Sequence, residues 1–165
     1  MKKNHTQPAR PLAIVSGASS GIGAAYARRL ASEGYDVALV ARRKQRLDEL
    51  ASEVSNKYGV SAEVIVADLT AEADLKVVEN RVAKAKNLEF LVNNAGFGTL
   101  GNFFENDLES QYKMHCLHVI APMRLTHVAL GGMVARNKGF VVNVSSVAAF
   151  LMGPGRPVTV LPRHG

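Results

Sequence analysis

Cysteine is almost missing from this chain: Cys116 is the only one among 165 residues. No intrachain disulfide can close, which fits a reducing compartment and a cytoplasmic location. No run approaches the roughly 18 consecutive apolar residues of a membrane helix. The opening Met1-Lys2-Lys3, with Arg10 and the run Leu12 to Val15, mimics a signal peptide. That run is too short, and a glycine-rich turn follows at once. Repeats, linkers and low-complexity blocks are lacking, and only the first ten residues read as a flexible end. Net charge is +6, but the Lys and Arg residues are spread along the chain and no recognition motif accompanies them. That argues against nucleic acid. A modest positive field suits a phosphate-bearing small molecule.

What is present is an alternation of short apolar runs and longer amphipathic ones. Leu12–Val15, Val37–Ala41, Val64–Val66, Leu88–Val92 and Phe140–Val144 read as strands. Their apolar runs are continuous rather than alternating, as expected of strands covered on both faces of a parallel sheet. Between them lie helical periods. The first helix spans Ile22 to Leu30 and ends at Gly34. Leu47, Leu50, Ala51 and Val54 mark a second, and Leu75, Val78 and Val82 a third. A long helix runs from near Leu108 to near Ala135, with Pro122 expected to kink or break it. Strand and helix in alternation predict an α/β fold, a doubly wound parallel sheet of Rossmann-like type. The pattern stops after the fifth strand, so the fold is expected to be incomplete at its C-terminal side. Residues 11–157 form one unit, followed by an irregular tail over 158–165.

The first strand runs into Gly17-Ala18-Ser19-Ser20-Gly21-Ile22-Gly23 and then a helix. Glycines at this place allow positive φ in a tight turn, close backbone approach to a pyrophosphate, and tight helix–strand packing. The helix N-terminus then offers N–H groups and a partial positive charge to phosphates. The spacing is Gly-x-x-x-Gly-x-Gly, and Ser16 to Gly23 resembles the cofactor loop of the short-chain dehydrogenase/reductase family. Ser16 stands where that family more often has Thr. The resemblance continues through Ala67-Asp68-Leu69-Thr70, Asn93-Asn94-Ala95-Gly96 and Asn143-Val144-Ser145-Ser146. It implies an NAD(P)-dependent oxidoreductase moving hydride between a nicotinamide cofactor and a carbonyl or alcohol substrate. By that resemblance Gly17, Ser19, Ser20, Gly21, Ile22, Gly23, Asp68, Leu69, Asn94, Ala95 and Gly96 border the cofactor. Asp68 is placed toward the adenine amino group. A plainer role for Asp68 or Thr70 is an N-cap. Asn94 is as much a tie between neighbouring strands as a ligand.

An acidic residue after the second strand would bind the ribose 2′-hydroxyl of NAD. Here Ala41 is followed by Arg42 and Arg43, and no carboxylate stands there to repel a 2′-phosphate. Guanidinium groups pair with phosphate through charge-assisted bonds. NADP, with NADPH preferred over NADH, is therefore the expected cofactor, and Arg42 the first choice of ligand. The alternative is that Arg42, Arg43, Lys44 and Arg46 are a solvated helix start.

Hydride transfer to a carbonyl leaves an alkoxide that must gain a proton, ordinarily from a Tyr of lowered pKa helped by a Lys, with a Ser holding the oxygen. Ser146 fits the family's Ser. Tyrosine occurs at 26, 35, 58 and 112, and four places later stand Leu30, Leu39, Ala62 and Cys116. No Tyr-x-x-x-Lys exists. The family spacing puts those places at Thr159 and Arg163, and the family's Asn in the long helix at His118. Codons for Pro157 to His164, read one nucleotide earlier, permit a tyrosine and a lysine at those two places. The expectation is a C-terminally truncated member with a shifted reading frame in its tail and little or no activity. A non-catalytic dinucleotide-binding or dimerising module, or an unstable fragment, are the alternatives. Partners are expected to be small molecules, not nucleic acid or membrane, with homo-oligomer formation open. His115 and His118 share a helix face, but a metal site would need more ligands, and none is expected. Cys116 and His127 read as packing residues. Phe97, Phe103 and Phe104 read as core, with a substrate entrance as the alternative.

Overall fold

The computed structural model describes residues 9–99 and 101–146. Thr159 and Arg163, the tail over 158–165 and most of the first ten residues, expected to form a flexible end, lie outside them. Five strands form one parallel sheet: β1 (Leu12–Ser16), β2 (Asp36–Ala41), β3 (Ala62–Val66), β4 (Leu88–Asn93) and β5 (Phe140–Asn143), in the order β3-β2-β1-β4-β5. Helices α1 (Gly21–Ser32), α2 (Lys44–Tyr58), α3 (Glu72–Lys84), α4 (Leu108–His115) and α5 (Ala121–Ala135) connect them. This is the doubly wound α/β arrangement that the alternation of runs predicts.

Each strand supplies both faces. In β1, Ala13 and Val15 join α1 and α2 in one core, where Ala27, Leu30, Leu47 and Val54 are buried. Leu12 and Ile14 join α3 and α5 in the other, with Leu75, Val78, Leu125 and Ala129. The period-two alternation of side chains thus sends neighbouring residues to opposite layers, both apolar. Because the strands are parallel, all their C-terminal ends meet at one edge. The direction of winding reverses between β1 and β4, which opens a crevice at that edge.

The long helix contains the predicted irregularity at Pro122. Between α4 and α5, Cys116–Ile120 form a π-helical turn, and Pro122 lies in the first turn of α5. Proline lacks the N–H for the helical ladder, and its ring crowds the preceding turn. The wider turn absorbs both, so the axis continues from Leu108 to Ala135 as one 28-residue helix. By length and composition that helix could cross a membrane, contrary to the expectation that no stretch could. Its stripe of Gln111, Met114, Ala121, Leu125, Ala129 and Met133 is buried, and the α5 part of it packs in the core beside α3.

Three further expectations are corrected. His127 is exposed rather than packed, because it lies on the outer face of α5. Phe103 and Phe104 are 54% and 80% exposed in a short 3-10 turn, so they are not core. Neither Asp68 nor Thr70 caps α3: its N-cap is Ala71, and Asp68 instead accepts hydrogen bonds from the Thr70 amide and hydroxyl.

An ion network joins α3 to α5. Arg124 donates to Glu79 at 2.6 and 3.0 Å and to Glu72 at 2.6 and 2.9 Å. Glu79 is 6% exposed. The Arg124 hydrogen bonds hold its carboxyl below the ordinary glutamate range. A buried acceptor removed from such a network leaves its donor unsatisfied. Glu79→Ala is expected to lower Tm by about 2–6 °C at neutral pH, read by thermal denaturation. The depressed carboxyl stabilises the fold above the ordinary glutamate pKa of about 4.3. That contribution is lost as pH falls through the depressed value, so the wild type and Glu79→Gln should converge in Tm in acid.

Candidate nucleotide-binding site

The site is built outward from Ser16, the last residue of β1. Ser16 is 3% exposed, a hydroxyl at the end of an otherwise apolar strand. Its Oγ donates to the Val92 carbonyl at 3.2 Å. It accepts from the Asn94 and Ala95 amides at 2.9 and 3.1 Å. One side chain therefore satisfies three backbone groups where β4 leaves the sheet and its ladder ends. The Asn94 side chain returns the tie, its Nδ2 donating to the Ser16 and Gly17 carbonyls at 3.1 and 3.3 Å.

This double tie leaves no room for side chains in the turn that follows. Gly17 has φ +68°, and a Cβ there would lie 2.7 Å from Asn94 Nδ2 and 2.8 Å from the Ala95 Cα. At Gly23 a Cβ would stand 2.3 Å from the Gly17 carbonyl oxygen. Gly21 differs: its φ is +54°, but no atom lies within 4 Å of where its Cβ would be. Gly17 and Gly23 thus close the turn against its neighbours, while Gly21 faces open space at the start of α1. The first turn of α1 contains no acidic residue. The first amides of a helix have no partner within it and carry partial positive charge. This edge is shaped and charged for an anion such as a pyrophosphate.

Toward β2 and β3 lie the basic residues. Arg43 donates to Ser19 Oγ at 3.0 and 3.2 Å and to Ser20 Oγ at 2.6 Å, placing its guanidinium over the glycine-rich turn. Arg42 Nη1 lies 3.8 Å from Asp68 Oδ2. Partial burial pushes the Asp68 carboxyl up, but the Thr70 hydrogen bonds and Arg42 outweigh it and hold the group below the ordinary aspartate range. Leu69 is buried in the core beside Leu75 and Val78, so its side chain offers nothing to a ligand. Ile22, by contrast, is exposed beside the turn.

Toward β5, Asn93 Nδ2 donates to Asn143 Oδ1 at 2.9 Å and to Thr126 Oγ1 at 3.1 Å, fastening β4, β5 and α5 together. The Val144 amide donates to the Asn93 carbonyl. Half-buried Ser146 follows at the same edge of the sheet. The segment after β4 turns back over α4 and the π turn, where the Phe97 amide donates to His118 Nε2 at 3.2 Å. The structure thus gathers the sequence-predicted residues Gly17, Ser19, Ser20, Gly21, Gly23, Arg42, Arg43, Asp68, Asn94, Ala95, Gly96 and Ser146 along one edge. The Ser16 hub and the His118 contact are additional. A hydroxyl ending a fully apolar strand was the signal for the first. The second needed the helix phase, which the π turn sets. Among the described residues no His, Cys, Asp or Glu cluster is disposed to hold a metal ion.

The short chain dehydrogenase family model matches residues 11–158. A very-long-chain 3-oxoacyl-CoA reductase from Anas platyrhynchos is 36% identical over 146 residues, covering 86% of this chain and 47% of that protein. The bulky-bulky ketone specific alcohol dehydrogenase from Comamonas testosteroni superposes with a TM-score of 0.86 at 39% identity, over 90% of this chain and 59% of that one. A short-chain dehydrogenase from Sphingobium yanoikuyae in complex with NADPH gives 0.82 at 41% identity, over 85% and 55%. The chain spans about half the length of the curated relatives it matches.

The Gly23 contact yields a direct test. Gly23→Ala should destabilise the fold well beyond Gly59→Ala, whose added Cβ meets only open space and whose cost is that of φ +65°. The expected losses are more than about 2 kcal/mol against about 1 kcal/mol, measured by urea denaturation; equal losses would refute the close-approach account.

Proposed function

The chain belongs to the short-chain dehydrogenase family, and from that premise we propose that it binds NADP(H) along the C-terminal edge of its sheet, with NADPH preferred over NADH. The observation that carries the preference is the guanidinium pair: Arg43 rests on Ser19 and Ser20, Arg42 stands beside it, and no carboxylate replaces them at the end of β2. The NADPH held by the Sphingobium yanoikuyae relative supports the same reading. The residues fit such a ligand: an acid-free helix start, an open face at Gly21 and two cations beyond it. The proposed binding set is Gly17, Ser19, Ser20, Gly21, Ile22, Gly23, Arg42, Arg43, Asp68, the backbone of Leu69, Asn94, Ala95 and Gly96.

When bound, such a cofactor supplies a hydride to a carbonyl carbon or takes one from an alcohol. The substrate class proposed is accordingly a carbonyl or alcohol molecule, in keeping with the ketone-specific dehydrogenase and the 3-oxoacyl-CoA reductase among the relatives above. Ser146 would hold the substrate oxygen through its hydroxyl. A proton donor is the part not supplied: no Tyr of this sequence is followed four places on by Lys. We therefore propose weak or no turnover for the chain as it stands. The same observation favours a second reading, a non-catalytic dinucleotide-binding module. NADPH oxidation measured over a panel of ketones and aldehydes separates the two. Self-association is proposed as well, supported by the exposed apolar side chains of Leu108, Tyr112, Met123 and Val134 along the long helix.

Calorimetric titration tests the cofactor reading. Arg43→Ala is expected to raise the Kd for NADPH by about 10–100-fold, the worth of hydrogen bonds to a charged group, and to leave NADH nearly unchanged. Arg42→Ala should act in the same direction and more weakly, since Asp68 already engages it. Equal losses for both cofactors, or no binding of either by the folded wild type, would overturn the assignment.

A further inference from the structure

The dinucleotide reading fixes where each half of the ligand goes. Arg42, Arg43 and Asp68 lie at the ends of β2 and β3, and the glycine-rich turn follows β1. A dinucleotide with its adenine half on that side must carry its other half past β1, to the ends of β4 and β5. The chain bordering that space is the segment after β4, Ala95 to Thr99.

That segment has little structure of its own, since residues 94–99 belong to neither helix nor strand. It is fastened to the long helix at two points. Phe97 donates its amide to His118 Nε2 at 3.2 Å, and Gln111 donates its side-chain amide to Thr99 Oγ1 at 2.8 Å. The two helix residues stand about two turns apart; Gln111 is 3% exposed and His118 half-buried. The imidazole is also pressed against the backbone, because a Cβ at Gly96 would come within 2.8 Å of His118 Nε2. The Phe97 ring lies beside it, with centroids 6.4 Å apart. A ring nitrogen that accepts an amide hydrogen carries none itself, so His118 is held with its hydrogen on Nδ1. The π turn contributes the placement: His118 is its central residue, with two on either side.

We propose that His118 is a positioning residue for the nicotinamide half of the cofactor, acting through the Phe97 amide to hold the Gly96–Phe97 backbone against the end of the sheet. The inference rests on the cofactor reading above. Loss of the acceptor frees a segment that bounds only the non-adenine side. The glycine-rich turn and the arginines are anchored separately, through Ser16, Ser19 and Ser20.

The two halves can be titrated apart. NADPH probes both, and 2′,5′-ADP probes the adenine half alone. His118→Ala is expected to raise the Kd for NADPH by about 10-fold, the worth of one hydrogen bond and its ordering, and to leave that for 2′,5′-ADP within twofold. His118→Gln places an amide oxygen where Nε2 accepts and should recover most of the NADPH affinity. Gly96→Ala, which displaces the ring, should reproduce His118→Ala. Equal weakening of both ligands by His118→Ala would show a general structural role and overturn the proposal, as would unchanged NADPH binding or no rescue by glutamine. Wild-type protein that binds neither ligand would instead sink the cofactor reading itself.

Discussion

The hydroxyl of Ser16 is the constraint on which the rest of this structure depends. At the end of β1 the parallel ladder stops, and the Asn94 and Ala95 amides leaving β4 turn to the Ser16 oxygen, which itself donates to the Val92 carbonyl. One oxygen thus serves both amides, and the Asn94 side chain closes the loop from the opposite direction. The central strands are therefore locked together where the winding of the sheet reverses. The glycines follow from this. Once Asn94 and Ala95 are drawn against the turn, only a residue without a Cβ fits at 17 or 23. Position 21 points away and is free to face a ligand.

Charge is arranged around that lock with the same economy. The helix start carries partial positive charge with no nearby acid. Two arginines stand one strand away, one against the serines of the turn and one beside Asp68. Asp68 remains ionised because the Thr70 hydrogen bonds and Arg42 outweigh the cost of its partial burial. The edge is thus cationic at its centre and balanced on its β3 side, which suits a ligand that is anionic in the middle and polar at its end.

Much of this was legible in the sequence. Apolar runs identified all five strands within two residues; the widest miss is the start of β3, where Glu63 interrupts the run. The turn glycines and the arginines could be named because their roles are local: φ angles, helix amides, charge after a strand. What could not be read depends on distant pairing. Arg43, rather than Arg42, reaches the serines, because α2 begins at Lys44 and sets which side chain points back. Phe103 and Phe104 look like core by composition, yet they sit in a 3-10 turn facing outward. His118 gained its contact from a π turn, and no periodicity of 3.6 reveals one extra residue in a helix. Asp68 satisfies its own loop through Thr70 instead of capping α3, a competition between local hydrogen bonds that spacing cannot settle.

The Ser16 lock also sets an order of events during synthesis. It joins residues 76 positions apart in sequence. A ribosome adding 5–20 residues per second needs roughly 4–15 s to make the partner after β1 has emerged. In that interval β1 can pair with β2, and β2 with β3, but its other edge stays bare. A nascent chain of this protein therefore displays an unpaired apolar strand edge for seconds, the kind of surface that recruits a chaperone or another chain. The seam between β1 and β4 can close only once β4 has been made, and the β4–β5 seam closes later still.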